Sequence, residues 1–333
     1  MRFSKKKTAF AALLAASAIA LAGCGGGDVV SENPGGDAGS KDGEMYVALV
    51  SKGFQHQFWQ AVKTGAEEKA KELGVRVTFE GPAAETEIAQ QLDMLTTAIN
   101  ANPDAIGYAA LDPEACVAPL EQAKSKDIPV VYFDAPCNGD VGLSLAATDS
   151  KAAGALAAEH MAKLIGGKGE VAIVGHSQIN STGVERRDGF VEKIEADFPD
   201  IKIVDIQYGD GDHLKSADIA KSMIAAHPDL KGIYGTNEGS AIGVVNAVNE
   251  LGIEKGKLTI IGFDSGAAQV NAIKDGIMAG AITQDPIGIG ARTVESAVAA
   301  AKGEKLDDFY DTGSYWYDAE NIDDPKIAAV LYE

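Results

Sequence analysis

From residue 45 onward, short apolar runs of strand length alternate with stretches carrying one apolar stripe at helical spacing. No other feature of the chain limits the fold as much. Strands are expected at 46–50, 76–79, 105–109, 129–133, 170–174, 202–206, 232–234, 258–262 and 280–283. Helices are expected at 86–100, 113–125, 151–165, 183–196, 213–226, 240–251, 267–275 and 288–301, and the loop after the first strand leads into another from Phe58. Strand–helix alternation implies parallel strands, whose connections cross a sheet face and cover it with helices. The expected class is therefore α/β. A body of roughly 290 residues exceeds what one hydrophobic core serves. Two halves can be read, one from 45 to about 148 with four strands and a second that restarts the pattern near 149. The tail, 309–333, holds one strand-like piece at 312–317 and a short helix near 325–330.

The loop 51–57 lies at the carboxyl end of the first strand, where open α/β sheets place ligands. Phe54, Phe58 and Trp59 bracket Gln55, His56 and Gln57. Flat apolar faces beside amide and imidazole groups suit a polyhydroxy ligand, which stacks on C–H faces and hydrogen-bonds at its rim. The plainer reading makes Phe58 and Trp59 core residues that close the helix onto the sheet.

Residues 1–23 have the form of an export signal: basic Arg2, Lys5, Lys6 and Lys7, then an apolar run at 9–22 too short to span a membrane. Leu21-Ala22-Gly23-Cys24 resembles the lipobox of bacterial lipoproteins, which implies cleavage before Cys24 and its acylation. Residues 24–44, rich in Gly, Asp and Ser, read as a flexible tether. About 20 such residues reach a root-mean-square distance of roughly 25 Å. The whole chain has 29 bases and 49 acids; the leader holds four of the bases and no acid, so the remainder has a net charge of −24. Such a body excludes nucleic acid as a partner and leaves membrane attachment to the lipid on Cys24. Outside the cytosol Cys116 and Cys137 are free to form a disulfide, both following strands of one half; the alternative is a pair of small buried thiols.

Several segments in order are VALVSKGFQHQFWQAVKTGAEEKAKELG, IPVVYFDAP, ATDSKAAG, ERRDGF, IYGTNEGSAIGVVNAVNELG, IIGFD and ITQDPIGIGA. Together they resemble the periplasmic sugar-binding family of the ribose-binding type, the substrate-binding lipoproteins of ABC importers, over essentially all of 45–333. The resemblance implies two Rossmann-like lobes with parallel sheets joined by a three-crossover hinge, the type I periplasmic binding protein architecture, with one sugar in the cleft and closure on binding. Crossovers are expected near 147–149, 284–286 and 311–312, so that 45–148 and about 285–311 form one lobe, 149–284 and about 312–333 the other. The motif positions imply a ligand-binding set of Phe58, Trp59, Asp134, Arg186, Asn237, Asp264 and Gln284, joined by His56 and Gln57 from the loop. Carboxylates accept from hydroxyls, a guanidinium donates, and amides do both. Each has a plainer reading: Asp134 as a turn residue before Pro136, Arg186 paired with Asp188, Asn237 and Asp264 as caps of the helices that follow.

Three positions depart from the ribose pattern. Ala135 stands where the family has Arg, Gly211 where it has an aromatic, and the loop after Ser51 is one residue longer, with His56 where Asn is usual. They point away from ribose toward another pentose or hexose, a polyol or a sugar-like signal molecule. Tyr208, Asp210, Asp212 and His176 are candidates to refill the space. No dinucleotide or phosphate loop, nucleophile elbow or metal-ligand spacing occurs, so neither an enzyme nor a cofactor or metal is expected. The implied function is an extracytoplasmic, lipid-anchored, monomeric binding protein that delivers its ligand to an ABC permease and ATPase. The alternative is a sensor that presents a sugar-like signal to a membrane receptor.

Overall fold

The computed structural model describes residues 43–332. The leader, Cys24 and nearly all of the tether, on which the readings of export and lipid attachment rest, lie outside the described residues.

Two six-stranded sheets organise the chain. The first has the order β11-β5-β4-β3-β1-β2, built from β1 (Tyr46–Val50), β2 (Arg76–Glu80), β3 (Ala105–Tyr108), β4 (Val130–Phe133), β5 (Gly142–Ala147) and β11 (Phe309–Asp311). Its pairs are all parallel. The second has the order β12-β10-β9-β8-β6-β7, built from β6 (Gly169–Gly175), β7 (Ile201–Tyr208), β8 (Leu230–Gly235), β9 (Thr259–Phe263), β10 (Gly280–Gln284) and β12 (Ser314–Tyr317). There β12 alone runs antiparallel, against β10.

Every residue of β1 is buried because both its faces are covered. Val47 and Leu49 pack under α1 (Gln57–Leu73) and α9 (Pro286–Ala301); Tyr46, Ala48 and Val50 pack under α2 (Ile88–Asn100) and α3 (Val117–Ser125). The second sheet is covered likewise, by α4 (Ser150–Leu164) and α5 (Ser181–Asp197) on one face. On the other lie α6 (His213–Ala226), α7 (Glu238–Glu250), α8 (Ala267–Lys274) and the short α10 (Pro325–Ala328). Helices α1 and α9 approach closely through glycine: a Cβ on Gly65 would collide with the Ile287 carbonyl, and one on Gly290 with that of Val62.

Among the described residues the chain passes between the sheets three times: from β5 into α4, from β10 into α9, and from β11 into β12. The first and third passages are tied together. Thr148 Oγ1 donates to the Gly313 carbonyl at 3.0 Å, and the Asp149 N–H donates to Asp311 Oδ1 at 3.3 Å. Cys116, which precedes α3, and Cys137, in the loop after β4, form a disulfide.

Two details differ from the sequence expectation. The first half has a fifth strand, β5, whose sequence GLSLAA lacks any β-branched residue. Its strand form comes from pairing on both edges, with β4 and β11. The strand expected at 312–317 is β12, and another, β11, precedes it across Thr312 and Gly313, the latter at φ +85°; the two belong to different sheets.

Candidate functional site

The carboxyl ends of the two sheets face one another across a small cavity lined mainly by polar side chains. Loops after β1, β2 and β4 supply one wall; β6, β8, β9 and β10, with α5, supply the other. The walls are built alike at one point. Asp134 follows β4 and Asp264 follows β9, both at positive φ, 59° and 81°. Each N–H still donates to the neighbouring strand, Asp134 to Ala146 O at 3.0 Å and Asp264 to Ile282 O at 2.6 Å. The left-handed turn thus leaves each carboxylate at the end of its strand without breaking the ladder; Asp tolerates that conformation better than most residues.

The Asp134 carboxylate lies 2.8 Å from Lys52 Nζ, both side chains almost fully buried. Lys52 also donates to Asn180 Oδ1 and Thr182 Oγ1, each at 3.2 Å, which belong to the opposite lobe. Asp264 accepts the Glu238 N–H at 2.9 Å and the Gln284 side-chain amide at 2.7 Å. Arg186 is buried with its guanidinium 3.7 Å from the Phe263 ring. One of its N–H groups donates to Thr236 O at 3.2 Å, while Nε has no protein partner. Asn237 caps α7, its oxygen accepting from Ser240 N at 2.9 Å, which leaves the amide NH₂ as its donor to a ligand.

Trp59 is fully buried and donates through Nε1 to Glu85 at 2.8 Å. Burial alone would raise the Glu85 carboxyl, but Lys52, His56, His176 and the indole N–H outweigh it and hold the acid at about 2. Burial pushes His176 down to about 3, with Lys52 and Arg186 adding to the effect, and burial lowers His56 as well. Both imidazoles are therefore neutral at pH 7. Lys52 and Arg186 face Asp134, Asp264 and Glu85, so anions exceed cations by one. Such a lining disfavours a carboxylate or phosphate guest and offers both donors and acceptors to a neutral one.

Eight of the nine residues singled out from sequence, Phe58, Trp59, His56, Asp134, Arg186, Asn237, Asp264 and Gln284, line this cavity. Gln57 does not. It is exposed, and its side chain reaches across to accept from Ala267 N at 2.6 Å. Some plainer readings hold alongside. Phe58 and Trp59 also belong to the core under α1, and Asn237 is also a helix cap. Others do not: Arg187, not Arg186, pairs with Asp188, and the cap position of α8 is Gly266, not Asp264. Of the four space-filling candidates, His176 lines the cavity. Tyr208 bonds Arg187, Asp210 pairs with Lys215, and Asp212 caps α6. The space opposite Gly211 is filled by Asn237 of its own lobe and by His56 and Gln55 of the other. Lys52 and Glu85 went unmarked in the sequence, since a lysine or glutamate in a loop reads as solvated.

The periplasmic binding protein domain model matches residues 47–305. The D-allose-binding periplasmic protein of Escherichia coli K12 is 32% identical over 267 residues, 78% of this chain and 85% of that one. A solute-binding protein of an ABC transporter from Agrobacterium vitis, solved with bound D-fucose, superposes with a TM-score of 0.83 at 34% identity, covering 86% of this chain and 100% of that one. A carbohydrate transporter solute-binding protein from Agrobacterium radiobacter, solved with D-arabinose, gives a TM-score of 0.84 at 30% identity, covering 87% and 100%.

Proposed function

This chain belongs to the ribose-type sugar-binding branch of the periplasmic binding protein family, and from that premise we propose that it captures one neutral monosaccharide or polyol between its lobes and delivers it to an ABC importer. It is a binding protein and not an enzyme, and its place is outside the cytoplasm. The carrying observation is the cavity at the facing strand ends and the buried polar groups gathered in it. Its acids, guanidinium and amides match the hydroxyls of a polyol. Trp59 and Phe58 give the C–H face of such a ligand something flat to lie on. A hydroxyl missing from an analogue would leave a buried carboxylate or amide unpaired, and selectivity follows from that cost.

The relatives named above bind D-allose, D-fucose or D-arabinose, all uncharged, and the excess of anions in this cavity supports the same class here. Ala135 and Gly211 stand where the ribose pattern has Arg and an aromatic, which points away from ribose itself. Phe58, Trp59, His56, Asp134, Arg186, Asn237, Asp264 and Gln284 form the binding set, with Lys52, Glu85 and His176 added. The protein works as a monomer, acylated on Cys24 and held at the membrane by residues 24–44.

A thermal-shift screen of pentoses, hexoses and polyols on protein freed of co-purified ligand tests the reading. At least one neutral sugar is expected to raise the melting temperature at millimolar concentration. No shift with any of them overturns the proposal. For the anchor, Cys24→Ser is expected to move the protein from the membrane to the soluble fraction, and retention at the membrane contradicts acylation there.

A further inference from the structure

Helices α1, α2, α3, α5 and α8 receive no side-chain cap from their own cap residue, and two of these, α1 and α8, are answered from the opposite lobe. At α1 the cap position is His56, and at α8 it is Gly266; neither supplies a side-chain hydrogen bond to its helix. By contrast α4, α6, α7 and α9 are capped by their own Asp149, Asp212, Asn237 and Asp285. The first N–H groups of a helix need acceptors, and burying them without one is costly.

Both acceptors come from across the cleft. Glu238, the first residue of α7 in the second lobe, places its two carboxylate oxygens 3.2 Å from Gln57 N and 3.4 Å from Phe58 N, the first two N–H groups of α1. Gln57, the first residue of α1 in the first lobe, accepts the N–H of Ala267, the first residue of α8, at 2.6 Å. We propose that Gln57 and Glu238 form a reciprocal latch, in which each lobe completes a helix terminus of the other and so holds the closed form. When the lobes part, both termini are capped by water instead, so the latch acts on closure and not on the folding of either lobe.

The chemistry is matched on both sides. A carboxyl group accepts from these N–H groups whether ionised or protonated, since its carbonyl oxygen remains an acceptor in the acid form. The latch space admits no side chain: a Cβ on Gly266 would come within 2.9 Å of both Gln57 Oε1 and Glu238 Oε1. Neither Gln57 nor Glu238 lines the sugar cavity, so the latch separates the lifetime of the closed form from recognition of the sugar. The role as a lock on captured ligand rests on the sugar-binding reading; the existence of the latch does not.

The test is single-molecule energy transfer in the full chain, with dyes on Lys71→Cys and Asn249→Cys, both exposed, one in each lobe. The closed-state dwell time is measured without sugar and with D-allose, D-arabinose or D-fucose. Glu238→Ala and Gln57→Ala are each expected to shorten the dwell about fivefold, the usual worth of one helix cap. Glu238→Gln keeps an acceptor and is expected to fall between. The melting temperature of the ligand-free protein is expected to stay near wild type for all three. Unchanged dwell times in both alanine variants overturn the latch, as does a ligand-free melting temperature that falls in step with the dwell. If no sugar lengthens the wild-type dwell, the sugar reading fails, while the sugar-free dwell times still decide the latch.

Discussion

Asp134→Asn tests how the charges in the cavity are balanced. Asn is the cleaner replacement because residue 134 sits at φ 59°. Ala in that conformation adds about 1–2 kcal/mol of backbone strain, which Asn largely avoids. The change leaves Lys52 facing a neutral amide instead of a carboxylate 2.8 Å away. Breaking one partner of a buried ion pair costs about 3–5 kcal/mol, since the remaining charge is left in a poor solvent. The other acceptors of Lys52, Asn180 and Thr182, belong to the opposite lobe, so the lysine is fully enclosed only in the closed form. The penalty therefore falls on sugar affinity more than on folding. At about 1.4 kcal/mol per tenfold, Kd rises by about two to three and a half powers of ten. Isothermal titration with the best sugar measures it, and the melting temperature of the ligand-free variant stays near wild type. Adding Lys52→Met removes the stranded charge, so the double variant binds more tightly than Asp134→Asn alone, and the cycle shows coupling well above about 0.5 kcal/mol. Binding by Asp134→Asn within a few fold of wild type refutes the reasoning. So does a double variant whose losses simply add.

Other consequences are open to measurement. Burial, reinforced by Asp264 and Glu85 and opposed by the N–H groups of Gln57 and Phe58, pushes Glu238 up to about 7 in the closed form; Tyr332 and His56 also face this region. Much of that burial comes from the opposite lobe, so parting the lobes brings the value down toward the ordinary one of about 4.3. A raised value in the closed form means closure is favoured fully below about pH 4.3 and that this contribution is lost as pH rises to about 7. Titrations near pH 6 in buffers of different ionisation enthalpy are therefore expected to show proton uptake on sugar binding, and proton release contradicts the assignment. The Cys116–Cys137 disulfide closes a loop of 21 residues, worth about 3 kcal/mol by chain entropy. Reduction lowers the melting temperature without changing sugar affinity; two free thiols in unreduced protein would rule the bond out. Gly290→Ala forces α1 and α9 apart at Val62 and destabilises the first lobe by about 1–3 kcal/mol, read as a lower unfolding midpoint in urea.

Much of the fold is legible because strands buried on both faces read as continuous apolar runs, as in Tyr46–Val50. β5 is not legible, because pairing rather than propensity makes GLSLAA a strand. The polar residues that follow strands, Asp134 and Asp264 above all, stand out because their positions are fixed by the strands before them. Lys52 is different. Nothing local marks it, and its acceptors Asn180 and Thr182 lie 128 and 130 residues away. Gln57 reads as a binding residue because it sits between His56 and Phe58, but α1 begins at this residue, and its side chain turns to the other lobe's helix instead of the cavity. Its partner residue Glu238 is 181 positions distant in sequence, out of reach of any spacing argument.

On the function proposed above, the cavity holds one neutral sugar. Native mass spectrometry of the full chain, purified gently and then offered a mixture of neutral monosaccharides, sugar acids and sugar phosphates, addresses it most directly. A single adduct per chain with the mass of a neutral monosaccharide or polyol is expected, lost in the variant carrying both Asp134→Asn and Arg186→Ala. Selection of a sugar acid or phosphate, or an adduct that survives both substitutions, contradicts it.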